Sequence, residues 1–210
     1  MSLICDIHTH RGDIHANAII TTTPQSFNPM ECRLYSVGIH PWESNNISDN
    51  TINLLKDIST HQQVVAIGEC GIDRLRGACI DIQKDIFEQH ILLSEQLHKP
   101  LIIHAVKSVD IILSLYNQYK PTQSWIVHGY RGNKTTAKQL LDRGIELSFG
   151  EKFNEETVAS TPLDRLWIES DESTTDIKEI YNKIALIHGL RGEELLQIIT
   201  RRAEKLFFSY

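Results

Sequence analysis

Two histidines separated by one residue, His8 and His10, close the segment LICDIHTH near the N-terminus. In an extended strand the side chains alternate between faces, so Asp6, His8 and His10 point one way and Ile7 and Thr9 the other. Two imidazoles presented side by side are half of a metal site. A chance His-x-His pair, each ring satisfied by backbone, is the plain alternative, so the rest of the chain has to decide. Downstream, the ends of further apolar runs carry His40, Glu69, His104, His128 and Asp171. Imidazole with carboxylate and no thiolate suits Zn, Mn, Fe, Ni or Co, and suits Mg less well, since Mg prefers oxygen. Six ligands, His8, His10, Glu69, His104, His128 and Asp171, are too many for one open catalytic metal and about right for two. Glu69 is the natural bridge between two divalent cations, with His8, His10 and Asp171 on one and His104 with His128 on the other. Such a pair would activate a water for in-line displacement, which is hydrolysis. Asp171 could take the proton of that water. His40, outside the ligand set, could contact the substrate or protonate the leaving group. Asp6 either orients an imidazole or accepts from nearby backbone.

These residues need elements to hold them. Short β-rich runs occur at 3–8, 17–22, 34–38, 64–69, 101–104, 125–128, 145–149 and 166–170. From the fourth onward they alternate with helical patterns, the signature of βα units on a parallel sheet. The clearest helix follows Asp81 as N-cap, with Ile82, Ile86, Phe87, Ile91 and Leu97 as its apolar stripe, and stops before Pro100. Other amphipathic stretches lie near 51–60, 108–119, 134–142, 176–188 and 193–208. In a (β/α)8 barrel the active site forms where the carboxyl ends of several strands converge, and seven polar residues at such ends are hard to read as satisfied core histidines. His61, His90, His98 and His188 lie away from strand ends and read as surface or partly packed, while His15 stays ambiguous.

The chain's 210 residues suit a single barrel domain over 1–210, and 41% hydrophobic with 23% charged residues is ordinary for a globular protein. Met1 leads directly into the first strand without a signal-like segment, and no later run is long and apolar enough for a membrane span, so a cytoplasmic protein without a membrane partner is expected. Cys5, Cys32, Cys70 and Cys79 lack metal-type spacing and read as reduced, structural residues. A net charge of −6 argues against broad nonspecific binding to nucleic acid but leaves room for a local phosphate site, because two dications invert the charge of one cleft.

The segments DIHTH, GIHPW, AIGECGID, KPLIIHAVK, HGYRG and LWIESD, in that order, resemble the successive motifs of the TatD-type metal-dependent deoxyribonucleases, from Asp6 to about Phe207. The resemblance implies a distorted (β/α)8 TIM barrel of the metal-dependent hydrolase type. It also implies two divalent metals held by His8, His10, Glu69, His104, His128 and Asp171, and phosphodiester hydrolysis, with DNA or another phosphodiester as partner. The chain departs from the family pattern in four places. Val106 stands where an arginine usually follows the strand 5 histidine, leaving Lys107 as a point-charge substitute. The sequence after Asp171 runs into a helix instead of a long loop. Arg202 replaces a typical asparagine. The first two covering helices are missing, so the barrel should be irregular around strands 1 to 3, and a second copy of the chain, in a homodimer, is expected to cover the apolar surface this leaves.

Smaller candidates have two readings each. Trp42 either stacks on a nucleobase or packs beneath a loop. Arg131 and Lys134 either hold a phosphate at a helix N-terminus or form a solvated turn. Arg74 and Arg76 are a solvated loop or steer an anion. Competing functions are amide, lactone or ester hydrolysis by a related metallohydrolase barrel, where a modified lysine often stands in place of Glu69, and a phosphomonoesterase, which normally needs a late Asp-x-His. A metal-binding scaffold that has lost catalysis is the non-enzymatic alternative.

Overall fold

The computed structural model describes residues 6–12 and 18–208. Eight strands, β1 (Asp6–Thr9), β2 (Ala18–Thr22), β3 (Leu34–Val37), β4 (Val64–Asp73), β5 (Leu101–Val106), β6 (Trp125–Val127), β7 (Glu146–Phe149) and β8 (Leu166–Ile168), hydrogen-bond in chain order. The pairs β1/β2, β3/β4, β4/β5 and β7/β8 are parallel. Beyond β8 the backbone returns to β1: Asp171 N–H donates to His8 O at 3.0 Å and His10 N–H to Asp171 O at 3.1 Å. Helices follow from β3 onward: a 3-10 turn (Pro41–Asn46), α1 (Asp49–Ser59), α2 (Ile80–Leu97), α3 (Val109–Tyr119), α4 (Lys134–Leu141), α5 (Glu155–Ser160), α6 (Ile177–Ile187) and α7 (Gly192–Phe208). Eight parallel strands with helices between them are the expected (β/α)8 arrangement. Residues 23–33, between β2 and β3, form turns without a helix, as the shortened early sequence requires.

The chain divides into two compact units, one of residues 21–126 and one of the described residues before 21 and after 126. In the first, β4 is buried along its whole length, and Trp125 packs edgewise against Phe87 and Tyr116 with ring centroids 5.6 and 5.2 Å apart. Phe27 covers Tyr35 of β3, and Met30 N–H donates to the Tyr35 hydroxyl. In the second, Arg202 of α7 lies 4.0 Å from the Trp167 ring centroid, donates to Leu163 O and Leu166 O, and pairs with Glu146. Arg202 is thus a structural residue. Ala18, Ile19 and Ile20 of β2 are buried within the single chain, and so are Tyr35 and Val37 of β3, so the exposed apolar strand surface that motivated a second copy is not found there.

Several boundaries moved for physical reasons. β4 runs to Asp73 and β5 to Val106, because Gly71, Ile72 and Asp73 pair with His104, Ala105 and Val106. Glu69 and His104 therefore sit inside strands, with Asp73 as the terminal residue of β4. Cys79, not Asp81, is the N-cap residue of α2, and Asp81 lies in the first turn, where a carboxylate complements the helix dipole. The buried face of α2 is Gln83, Phe87, His90, Ile91, Leu93 and Ser94, while Ile82 is exposed, so the helix is rotated relative to its apolar stripe. His90 is fully buried, correcting its reading as surface or partly packed. α5, missed in the sequence, is six residues long and capped by Asn154, whose side chain accepts from Thr157 N–H. Cys32, Cys70 and Cys79 are free thiols, with Cys70 buried; Cys5 and His15 lie outside the described residues.

Candidate metal centre

Each unit brings a cluster of imidazole and carboxylate side chains together. In the unit of the chain's two ends, β1 presents His8, buried, and His10, exposed, on one face, as its alternation dictates. Asp171 Oδ1 lies 3.7 Å from His8 Nε2 and 3.5 Å from His10 Nε2. Asp171 is held in the left-handed region, φ 54°, by its parallel bridge to Thr9, which fixes where the carboxylate points. His128, just past β6, brings its ring centroid to 4.2 Å from that of His8. His8, His128 and Asp171 each offer a ligand atom, all within 4.8 Å of one another.

Two buried carboxylates support this cluster. Glu169 Oε1 accepts from Gly129 N–H at 2.7 Å and lies 3.3 Å from His128 Nδ1. Burial pushes the Glu169 carboxyl up, but the nearby His128 and His8 rings outweigh it and hold the group below its ordinary range. Asp6 accepts from His8 N–H and from both the N–H and the hydroxyl of Ser170, so the backbone reading of Asp6 is the one observed. Burial pushes its carboxyl up to about 7. Asp171 also borders a cavity of about 430 Å³ lined by Gly129, Arg131, Lys152, Glu169 and Ser173.

In the unit of residues 21–126, Glu69 Oε1 lies 2.8 Å from His104 Nδ1 and 3.0 Å from His40 Nε2. Glu69, His104 and His40 also offer ligand atoms within 4.8 Å of one another. Their partners decide which nitrogen can bind a cation. His40 Nδ1 accepts from Trp42 N–H at 3.1 Å, so the proton of the neutral ring sits on Nε2 and faces Glu69. His104 Nε2 faces Asp73 Oδ2 at 3.1 Å, an acceptor, so its proton is there and the Nδ1 lone pair faces Glu69. A lone pair and a carboxylate oxygen converging on one point are what a divalent cation requires, so the donor set fits a metal. His40 is instead a donor. Asp73 also accepts from Trp42 Nε1 at 2.6 Å and Leu75 N–H at 2.7 Å. Burial pushes its carboxyl up, but these bonds and His104 outweigh burial and hold it below the ordinary range.

The model of the family described as TatD related DNase matches residues 29–208. The chain belongs to the TatD-related DNase family. YabD of Bacillus subtilis, described as an uncharacterized metal-dependent hydrolase, is 28% identical over 194 residues, covering 82% of this chain and 76% of YabD. YcfH of Escherichia coli K12, described in the same words, is 26% identical over 197 residues, covering 83% and 73%. Among solved structures, the TatD homologue YjjV of Escherichia coli superposes with a TM-score of 0.83 at 17% identity, covering 99% of this chain and 98% of that one. The chain is therefore a metal-dependent hydrolase of the TatD family with the TatD barrel fold. Among the described residues no helix is long and apolar enough to cross a membrane.

Within the units, His128 lies with His8 and Asp171, and His104 with Glu69 and His40. Trp42 is 45% exposed, anchored by its indole N–H, and lies under Arg76 of the loop that leaves β4. Lys107 is exposed, and its carbonyl accepts from Arg74, which also makes a two-pronged pair with Asp110. Arg131 is exposed at the cavity, and Lys134 is the first residue of α4, capped by Asn133. The supporting carboxylates Asp73 and Glu169 were missed, although the period-two pattern holds their signal. Asp73 follows Glu69 by four residues along β4, and Glu169 precedes Asp171 by two.

Proposed function

We propose that the protein is a phosphodiesterase that cleaves DNA with the help of two divalent cations. The observation that carries the proposal is the pair of imidazole–carboxylate clusters, built from strands and the segments that follow them, in a chain of the TatD-related DNase family. His8, His10, His128 and Asp171 would hold one cation, and Glu69 with His104 would hold another. Bound there, divalent cations lower the pKa of a water and offset charge developing on the phosphate. Asp171, part-exposed and bordering the cavity, accepts the proton of the attacking water. His40, with its proton on Nε2, donates a hydrogen bond toward the leaving oxygen. Asp73 and Glu169 keep His104 and His128 oriented as ligands, the role carboxylates play behind metal-bound imidazoles.

The test is hydrolysis of a short labelled single-stranded DNA and of bis-p-nitrophenyl phosphate by metal-stripped protein reloaded with Mg, Mn or Zn. Metal-dependent cleavage of both, lost in Glu69→Ala with the fold retained, is expected. Cleavage of the small ester alone moves the substrate to a smaller phosphodiester. Inactivity on both overturns the proposal.

A further inference from the structure

The loop that leaves β4 carries two arginines, and only one of them is committed. Arg74 makes both of its forks' bonds to Asp110, at 2.7 Å each, and a third to Lys107 O. Arg76 lies over Trp42, its guanidinium carbon 4.4 Å from the ring centroid, and among the described residues its guanidinium has no hydrogen bond or ion pair. Stacking holds a guanidinium in place through its face and leaves its in-plane N–H donors unspent.

Both halves of this pair are immobilised from beneath. Trp42 is tied to Asp73 by its indole N–H, and its ring meets those of His40 and His104 edgewise, with centroids 4.7 and 5.9 Å apart. The exposed loop bearing Arg76 is pinned by one buried glutamine: Gln83 Nε2 donates to Asp73 O, Arg76 O and Ala78 O, and its Oε1 accepts from Asp73 N–H. Ala78 N–H donates to Ser44, whose hydroxyl donates to Pro41 O. Gly77 (φ +90°) passes so close to Pro41 that a Cβ there would fall 2.1 Å from its carbonyl oxygen. An exposed turn fixed at this many points holds its arginine at a set position on Trp42, whose ring borders those of His40 and His104.

We propose that Arg76 on Trp42 is a phosphate-gripping subsite that holds a nucleotide neighbouring the one whose phosphodiester is cleaved. The inference rests on the phosphodiesterase reading and adds that the substrate is an oligonucleotide, engaged at more than the scissile phosphate. The planar donor fork suits a phosphate's paired oxygens, and the part-exposed indole offers the adjoining nucleoside an apolar edge. The strand end that follows His104 carries Val106 and Lys107, with no arginine, and the guanidinium held on Trp42 comes from the β4 loop instead.

Binding is measured apart from turnover, by titrating metal-free protein in EDTA with tetrathymidylate and following tryptophan emission. Trp125 and Trp167 are each 1% exposed and Trp42 45%, so a change in emission that vanishes in Trp42→Phe places the ligand at this site. Arg76→Ala is expected to weaken binding about tenfold and to lower the salt dependence by about 0.7 in the log–log slope, one phosphate contact on a single strand. Arg76→Lys should recover part of the affinity, since it keeps the charge and loses the fork. Unchanged affinity and salt slope in Arg76→Ala, an emission change that survives Trp42→Phe, or no binding by the unaltered protein overturns the subsite. Hydrolysis of bis-p-nitrophenyl phosphate by Mn-loaded protein reports separately on the reaction. Turnover with Arg76-independent DNA binding removes the subsite and keeps the hydrolase, whereas Arg76-dependent binding without turnover keeps the subsite and removes the reaction.

Discussion

His90, on the buried face of α2, ties acid stability to the segment that carries His40. Its Nε2 accepts from Ile39 N–H at 2.9 Å, and its Nδ1 lies 2.8 Å from Ile86 O. An amide can only donate, so Nε2 must be the unprotonated nitrogen and Nδ1–H the donor to Ile86. A second proton would oppose the Ile39 amide, which immediately precedes His40. Burial accordingly lowers the His90 pKa from 6.5 to about 4. The unfolded chain takes up this proton first, so the contribution is fully present above pH 6.5 and is lost as the pH falls toward 4. A gap of about 2.5 units is about 3.4 kcal/mol in full, and about 2.5 kcal/mol of it disappears between about pH 7.5 and 4.5. Asp6, raised from 3.8 to about 7, works in the opposite direction: its stabilisation is full below 3.8 and lost as the pH rises through 7. The profile of the unaltered protein therefore mixes both. Subtracting the profile of His90→Gln removes the Asp6 part, because Gln keeps one donor and one acceptor and does not titrate. Urea unfolding at both pH values is expected to show the stability lost on acidification to be smaller in His90→Gln by about 2 to 3 kcal/mol. Equal acid losses in the two proteins would refute the reasoning.

Asp73→Asn, which removes the charge behind His104, should weaken Zn binding about 10- to 100-fold in competition with a chelator while the melting temperature changes little; unaltered affinity would count against the orienting role. Gly71→Ala should destabilise by about 3 kcal/mol or more in chemical unfolding. Gly71 sits at φ +139°, and a Cβ would fall 2.1 Å from His104 O. Arg202→Ala should cost about 3 kcal/mol in thermal or urea unfolding, because it takes the closest cation from buried Glu146, leaving it the Trp167 indole N–H at 2.7 Å, and removes the donors to the carbonyls of Leu163 and Leu166. Arg191→Ala, which breaks an exposed pair with Glu194, should leave the unfolding midpoint nearly unchanged; similar losses for the two would undo the distinction.

The alternation of DIHTH placed His8 and His10 on one face, and the recurrence of His40, Glu69, His104, His128 and Asp171 at the ends of apolar runs marked one kind of site. The reading of eight strands alternating with helices from the fourth onward came from the same source, because parallel strands buried on both faces are written as continuous apolar runs. The period that made these residues visible also contained Asp73 and Glu169, which were passed over because a carboxylate beside a turn looks solvated until its neighbours are known.

By itself, then, the sequence determined which residue types stand at which strand ends, and so the metal chemistry open to the chain, since side-chain direction in a strand follows from covalent geometry alone. Only the tertiary structure decided which of them keep company. The β4/β5 register put Asp73 behind His104, the return of the chain to β1 set Asp171 beside His8, and a turn pinned by Gln83 set Arg76 on Trp42. It also decided depth: His90 and Gln83 lie inside α2's buried face while Ile82 faces solvent. Periodicity tells which residues share a face, but the proton positions and hydrogen bonds that separate a ligand from a donor depend on partners far away in the chain, and these meet only when the strands do.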